Sequence, residues 1–415
     1  MKFLPLFLAS IAASVAAHNN RRVCKVKALG GGQDDGPNIL KAFKKCAKKG
    51  KVVLDEYYVV DTLLLTTGLE DVEIELSGTV QYTPDIAKWS PQSYFMTYQN
   101  ATTAWFLSGN KIHLYGGGTL DGNGQLWWDT YNISKNSGTA GGSSRTFARP
   151  IPLTVGNATN VLIEDLRQIG SPFWNNFVYQ SKHVTYRRIN ITAHSYSSSP
   201  TANSDGWDIY RSSFVTITNS TVKNSDDCVS FKPNSTNVLV SHMDCDGSHG
   251  ISVGSLGQYA GTTDIVANVS VHDIIMKNAQ YGARIKVFGG SPDANSTAGG
   301  GSGFVKNITF ANFQVANVEG PIYINQCYMT DPEVCAKYPS TLSISDVHYV
   351  NITGTSAGTQ GTVVVDIQCS AQCKDITATG TNLSPPNGTS TYVCKNIVST
   401  NQLDFNCTAP AADVE

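Results

Sequence analysis

Between Pro37 and Lys48, apolar positions recur at helical spacing. Ile39, Leu40, Phe43 and Cys46 share one face, and Pro37 suits a first helical turn. The pattern predicts one helix there. Downstream it changes to short β-type runs, Val52–Val60, Val72–Tyr82, Thr103–Leu107 and Lys111–Tyr115, separated by Gly and Asn. From residue 160 the runs repeat. Asn160-Val-Leu-Ile-Glu-Asp, His183-Val-Thr-Tyr-Arg-Arg, Phe214-Val-Thr-Ile-Thr-Asn and Asn237-Val-Leu-Val-Ser-His recur every 23 to 31 residues, and Val305-Lys-Asn-Ile-Thr-Phe resumes the theme.

Short strands and polar turns at an irregular period, without helices, predict an all-β fold: a right-handed parallel β-helix. Each coil of such a solenoid stacks on the last at about 4.8 Å. The helix at 37–48 is expected to cap the N-terminal edge, which would otherwise invite edge pairing. An antiparallel sandwich would show tighter strand spacing, about 8–12 residues, with hairpin turns. The Gly/Ser-rich stretches 136–144 and 289–303 read as long loops on one body, because the repeat resumes after them.

Composition narrows the class. With 415 residues, 41% hydrophobic and 15% charged, the chain builds a sizeable core and is not disordered. A net charge of −2 lacks the basic excess of a nucleic-acid binder, so an anionic partner must meet local cations. Residues 1–17 read as a secretory signal peptide: Lys2, the apolar stretch Phe3–Ala13, and the small-residue site Val15-Ala16-Ala17. Residues 18–415 then form a single domain. No later run reaches the roughly 20 apolar residues of a membrane span. The expectation is a secreted monomer with no membrane partner. Thirteen Asn-x-Ser/Thr sequons, Asn219, Asn268 and Asn307 among them, and ten cysteines agree with secretion. Sequence alone does not fix connectivity, and neighbour pairing (24/46, 228/245, 327/335, 369/373, 394/407) is the simplest scheme.

If one coil takes about 22 residues, residues one coil apart sit above one another. Asp205 and Asp226 are 21 apart, Asp227 and His249 are 22 apart, and Arg284 follows His249 by 35 across a longer loop. Asp205, Asp226/Asp227, His249 and Arg284/Lys286 thus stack on one face. Three crowded carboxylates repel, so at least one holds a proton near working pH. A protonated acid beside ionised carboxylates suits glycoside hydrolysis: one group protonates the leaving oxygen and another activates water. The paired cations suit an anionic sugar.

The chain here resembles a known family. Asn203-Ser-Asp205-Gly-Trp-Asp208, Asn224-Ser-Asp226-Asp227-Cys228, Gly247-Ser-His249-Gly250 and Arg284-Ile-Lys286 occur in the order and spacing of the polygalacturonases, glycoside hydrolase family 28. Gly117-Gly-Thr-Leu-Asp121-Gly-Asn-Gly-Gln-Leu-Trp127-Trp128 is similar too, and the likeness spans about residues 25 to 375. The resemblance implies an inverting hydrolase of α-1,4-linked galacturonic acid that needs no cofactor or metal. It implies Asp226 as general acid, Asp205 and Asp227 as the pair that activates water, and His249 as tuning the acid. Arg284, Lys286 and Asn203 would bind substrate. Ser204, Ser248 and the run Gly247–Gly257 resemble the fungal exo-acting members, which release monomer from the non-reducing end. Exo action needs one end of the cleft closed, and 136–144 and 289–303 are the candidate loops.

Other readings stay open: a xylogalacturonan or rhamnogalacturonan hydrolase, an endo-polygalacturonase, a Ca²⁺-dependent pectate lyase, or a carbohydrate-binding β-helix. Gly250-Ile-Ser252-Val-Gly254 matches a nucleophile elbow, but no helix pattern follows Ser252. His242, Cys245 and His249 have a loosely metal-like spacing. Trp127, Trp128 and Trp174 are either sugar platforms or core residues.

Overall fold

The computed structural model describes residues 21–136 and 147–408; the expected signal peptide and nearly all of the 136–144 stretch lie outside the described residues. From Arg22 to Ile397 the chain winds one 24-stranded sheet. Its strands pair in parallel, coil upon coil. Parallel strands joined by crossovers take the right hand because the strand twist favours it. The result is the right-handed parallel β-helix that the repeat predicts.

The repeated runs build its interior. Val161, Val184, Val215, Val238, Val269, Ile308, Val347 and Ile376 are successive register partners and all are buried. Branched side chains pack well on such a pleated, stacked surface. The residue before each valine of the repeat (Asn160, His183, Phe214, Asn237, Asn268) has φ near +55° and turns the chain into the next strand. Asn tolerates that left-handed conformation better than most residues. At two of these corners the amides form a ladder: Asn307 Nδ2 donates to Asn268 Oδ1, and Asn268 Nδ2 to Asn237 Oδ1.

Helix α1 (Gly36–Lys45) lies where expected, beginning one residue before the predicted 37–48 and ending three residues short of it. Ile39, Ala42 and Phe43 are its buried face, with Phe43 edge-on to Trp105 at 5.9 Å and Cys46 bonded to Cys24. It closes the N-terminal end of the core. At the other end Tyr392 stacks on Phe405 and Cys394 pairs with Cys407. All five disulfides follow neighbour pairing.

The structure departs from the expected strand runs and adds helices: Val72–Tyr82 is broken at 77–78, and Trp105–Tyr115 joins two expected runs in one strand. The run Val52–Val60 is two strands, Gly50–Leu54 and Tyr57–Val60. They part at Asp55 and Glu56, which turn outward to Lys25 and Lys27. Three further helices also appear among the described residues, α2 (Ile86–Gln92), α3 (Gln125–Asn136) and α4 (Pro332–Lys337). In α3, Trp127 and Trp128 are buried, so packing on the solenoid rather than apolar periodicity holds it there.

Five stacked strands floor the site: β1 (Trp207–Tyr210), β2 (Val229–Phe231), β3 (Ile251–Leu256), β4 (Tyr281–Phe288) and β5 (Gly320–Tyr328). Their outward register runs Asp208, Ser230, Ser252, Arg284, Tyr323.

Candidate active site

Trp207, Val229 and Ile251 are register partners, so Asp205, Asp227 and His249, each two residues earlier, hold equivalent places in three coils. Asp226 lies one residue before that column, in a turn where strand alternation has not begun. Its carboxylate accepts from the Asp227 backbone N–H at 2.8 Å, and the turn is held by Asn224 Nδ2, which donates to the carbonyls of Ser204, Asp226 and Asp227. Asp205, Asp226 and Asp227 each offer an oxygen within 4.8 Å of the others. The expected convergence is present.

Arg284 is placed differently from the coil count. It partners Ser252, three positions beyond His249, because the intervening coil carries the long strand Thr263–Lys277 and the 257–262 loop. Its guanidinium still comes within 3.7 Å of Asp227 Oδ1, and it lies over the Tyr281 ring at 3.9 Å. Lys286 Nζ donates to Asp227 Oδ2 at 2.6 Å. Ser252 Oγ donates to the other Asp227 oxygen at 2.7 Å. Ser252 is thus an orienting group on a strand, not a nucleophile on an elbow. His249 Nδ1 lies 3.2 Å from Asp226 Oδ1, and Asn203 Nδ2 3.4 Å from Asp226 Oδ2.

The charges are graded by surroundings. Burial, then the negative charge of Asp208 and Asp226, pushes Asp205 well above the usual carboxylate range. Burial also raises Asp208, to about 7, against the pull of Lys232 3.0 Å away. Burial acts on Asp227 too, but Lys286, Arg284 and Lys232 outweigh it and hold that group low. Burial likewise opposes ionisation of Asp226, and the His249 contact and Lys286 overcome it. The surroundings thus push Asp205 toward its protonated form and hold Asp226 and Asp227 toward the ionised one. Asp226 is the most accessible of the three, with 16% of its side chain exposed against none for Asp227.

Sequence reasoning missed several contributors. Arg149 is buried, bonds Asn203 Oδ1 at 2.6 Å and lies over the rings of Tyr131 and Phe173, so it aims Asn203 into the cleft. Lys232 and Gln99 also line the cleft, which has a volume of about 520 Å³. Trp174 lines it as well, whereas Trp127 and Trp128 are core. Cys245 is in a disulfide, and His249 faces Asp226, so the His242, Cys245, His249 spacing makes no metal site. Both Asp227 oxygens are taken, and Lys232, Arg284 and Lys286 surround the trio, a poor donor set for Ca²⁺.

A solenoid cleft that pairs clustered carboxylates with clustered cations has the groups for acid–base hydrolysis and for holding an anionic sugar. The model of glycosyl hydrolases family 28 matches residues 47–403. This chain belongs to that family and is a glycoside hydrolase. It is 43% identical to an exopolygalacturonase of Cochliobolus carbonum, over 98% of this chain and 91% of that one. It is 44% identical to a probable exopolygalacturonase X of Aspergillus fumigatus, over 93% and 89%. Among solved structures, the endo-xylogalacturonan hydrolase of Aspergillus tubingensis superposes with a TM-score of 0.83 at 31% identity, covering 94% of this chain and all of that one.

Proposed function

We propose that this protein is a secreted, monomeric exo-polygalacturonase that hydrolyses α-1,4-galacturonosyl linkages of pectin from the non-reducing end with inversion. The observation that carries the reading is the convergence of Asp205, Asp226 and Asp227 beside Arg284 and Lys286. Asp226 faces the cleft and donates its proton to the glycosidic oxygen as the bond to the anomeric carbon breaks. A water attacks that carbon from the other face and gives its proton to Asp227, with Asp205 orienting the water. The acid must be protonated in the complex. A bound uronate adds negative charge beside Asp226 and engages the cations that keep it ionised, so binding raises its affinity for the proton. Secretion accords with five disulfides and with the N-terminal signal pattern. No helix among the described residues is long and apolar enough to cross a membrane.

The test is a product time course on polygalacturonic acid with a chelator present, read by chromatography and ultraviolet absorbance. Saturated monomer from the first minutes is expected. Saturated oligomers would replace the exo reading with an endo one, and unsaturated products would overturn hydrolysis. The likeness to an endo-xylogalacturonan hydrolase favours a second reading, in which xylose-bearing galacturonan is the better substrate. Relative rates on the two polymers separate them.

A further inference from the structure

Two loops distant in sequence meet at the cleft. Gln99 Nε2 donates to Gln258 Oε1 at 3.0 Å, across 159 residues of sequence. Both glutamines line the catalytic cleft, while their neighbours Tyr98 and Tyr259 line a separate cavity of about 390 Å³. That second cavity is lined by Tyr98, Tyr210, Arg211 and Tyr259, with the carboxyl of Asp264 beside them. The Gln99–Gln258 pair thus lies between the cleft and this second cavity.

Each side of the partition is anchored. Tyr98 stacks on Tyr210 at 4.0 Å and belongs to a buried cluster with Met96, Phe106 and Phe177. Gln99 and Asn100 have φ of 47° and 53°, a left-handed pair that costs conformational energy and lifts the Gln99 side chain off this anchor. On the other side the insert 289–301 braces the second glutamine from behind. Gly299 N–H donates to the Gln258 carbonyl at 2.7 Å, Ala260 N–H to Ser296, and Gly301 N–H to Gly257. The 289–303 stretch, expected to wall the cleft, contributes no cleft-lining residue. It supports the loop that does.

We propose that the Gln99–Gln258 clasp is the specificity-determining partition of this enzyme, making the cleft blind beside the carboxylates so that one sugar is released per event. The inference rests on the exo reading. With the clasp removed, cleft and second cavity join, Arg211 and the tyrosines receive further uronates, and internal bonds reach Asp226.

Two variants test it: the double substitution Gln99→Ala with Gln258→Ala, and replacement of residues 97–100 by two glycines. Each is compared with the parent on polygalacturonic acid, with oligomer profile and viscosity loss per bond cleaved as readouts and thermal unfolding as the check on folding. The parent releases monomer. The variants are expected to release dimer and longer products from the outset, with viscosity loss per bond cleaved rising at least about fivefold. Folded variants of both kinds that still release only monomer overturn the clasp while leaving the exo reading intact. A parent that itself releases oligomers overturns the exo reading, and the clasp with it.

Discussion

At the scale of single residues, the site works by giving three equivalent carboxyls unequal surroundings. Asp226→Asn keeps the shape but cannot deliver a proton, so turnover should fall about 10²–10⁴-fold with little change in thermal stability. The resemblance assigns Lys286 to substrate, yet its 2.6 Å bond to Asp227 gives it a second task. Lys286→Ala should therefore raise KM and also lower kcat. Asp227 loses the cation that keeps it ionised, so the acidic limb of the rate profile should move to higher pH. Lys286→Arg should restore that limb. A pH series of kcat for the three proteins decides this, and an Ala variant altered only in KM would return Lys286 to a purely binding role. Much of this was legible in the chain. Asp205, Asp227 and His249 sit 22 residues apart, as a solenoid coil dictates. Arg149 and Gln99 were not legible, because each reaches the cleft from a remote coil through contacts that leave no spacing behind.

At the scale of elements, strands β3 and β4 carry the delicate geometry. Between Gly254 and Leu256 the register slips, and it is across this irregularity that Lys286 is presented to Asp227. Gly254 has φ +113°, and a Cβ there would stand 2.3 Å from the Lys286 carbonyl oxygen. Gly254→Ala should thus displace the strand that bears Lys286 although it touches no reacting atom. We expect at least a tenfold loss of kcat and a lowered melting temperature, measured on the same preparation. A fully active Gly254→Ala would mean that the chain relaxes there without moving Lys286. The repeat predicted these stacked strands because interior columns impose β-branched residues at matched positions. It did not predict α3, whose Trp127 and Trp128 earn their burial through tertiary packing rather than helical periodicity. Nor did it predict the offset of Arg284, since a longer coil shifts register without changing the residues' local pattern.

At the scale of the molecule, the buried carboxyls couple catalysis to stability. Asp205 and Asp208 are raised in the folded state, Asp208 to about 7. A group of this kind contributes stability fully below its unfolded value near 3.9. That contribution is lost as pH climbs through the folded value. Glu164 acts in the opposite sense: hydrogen bonds led by Arg187 hold it at about 2, so its contribution is present above about 4.3 and lost as pH falls toward 2. The two trends together place maximal stability at about pH 4–5 and predict a decline toward pH 8. For Asp208 alone the decline has a ceiling of about 4 kcal/mol, from a pKa of 3.8 rising to about 7. Denaturant unfolding measured from pH 4 to 8 tests this, and Asp208→Asn should flatten the slope above pH 5 whatever its absolute cost, since Lys232 then lacks its partner. A parent whose stability is level across that range would show that the buried carboxyls are hydrated. The same burial that pushes Asp205 toward its protonated form should tie the enzyme's most stable state to acidic pH, where a carboxyl acid and a carboxylate base can work together.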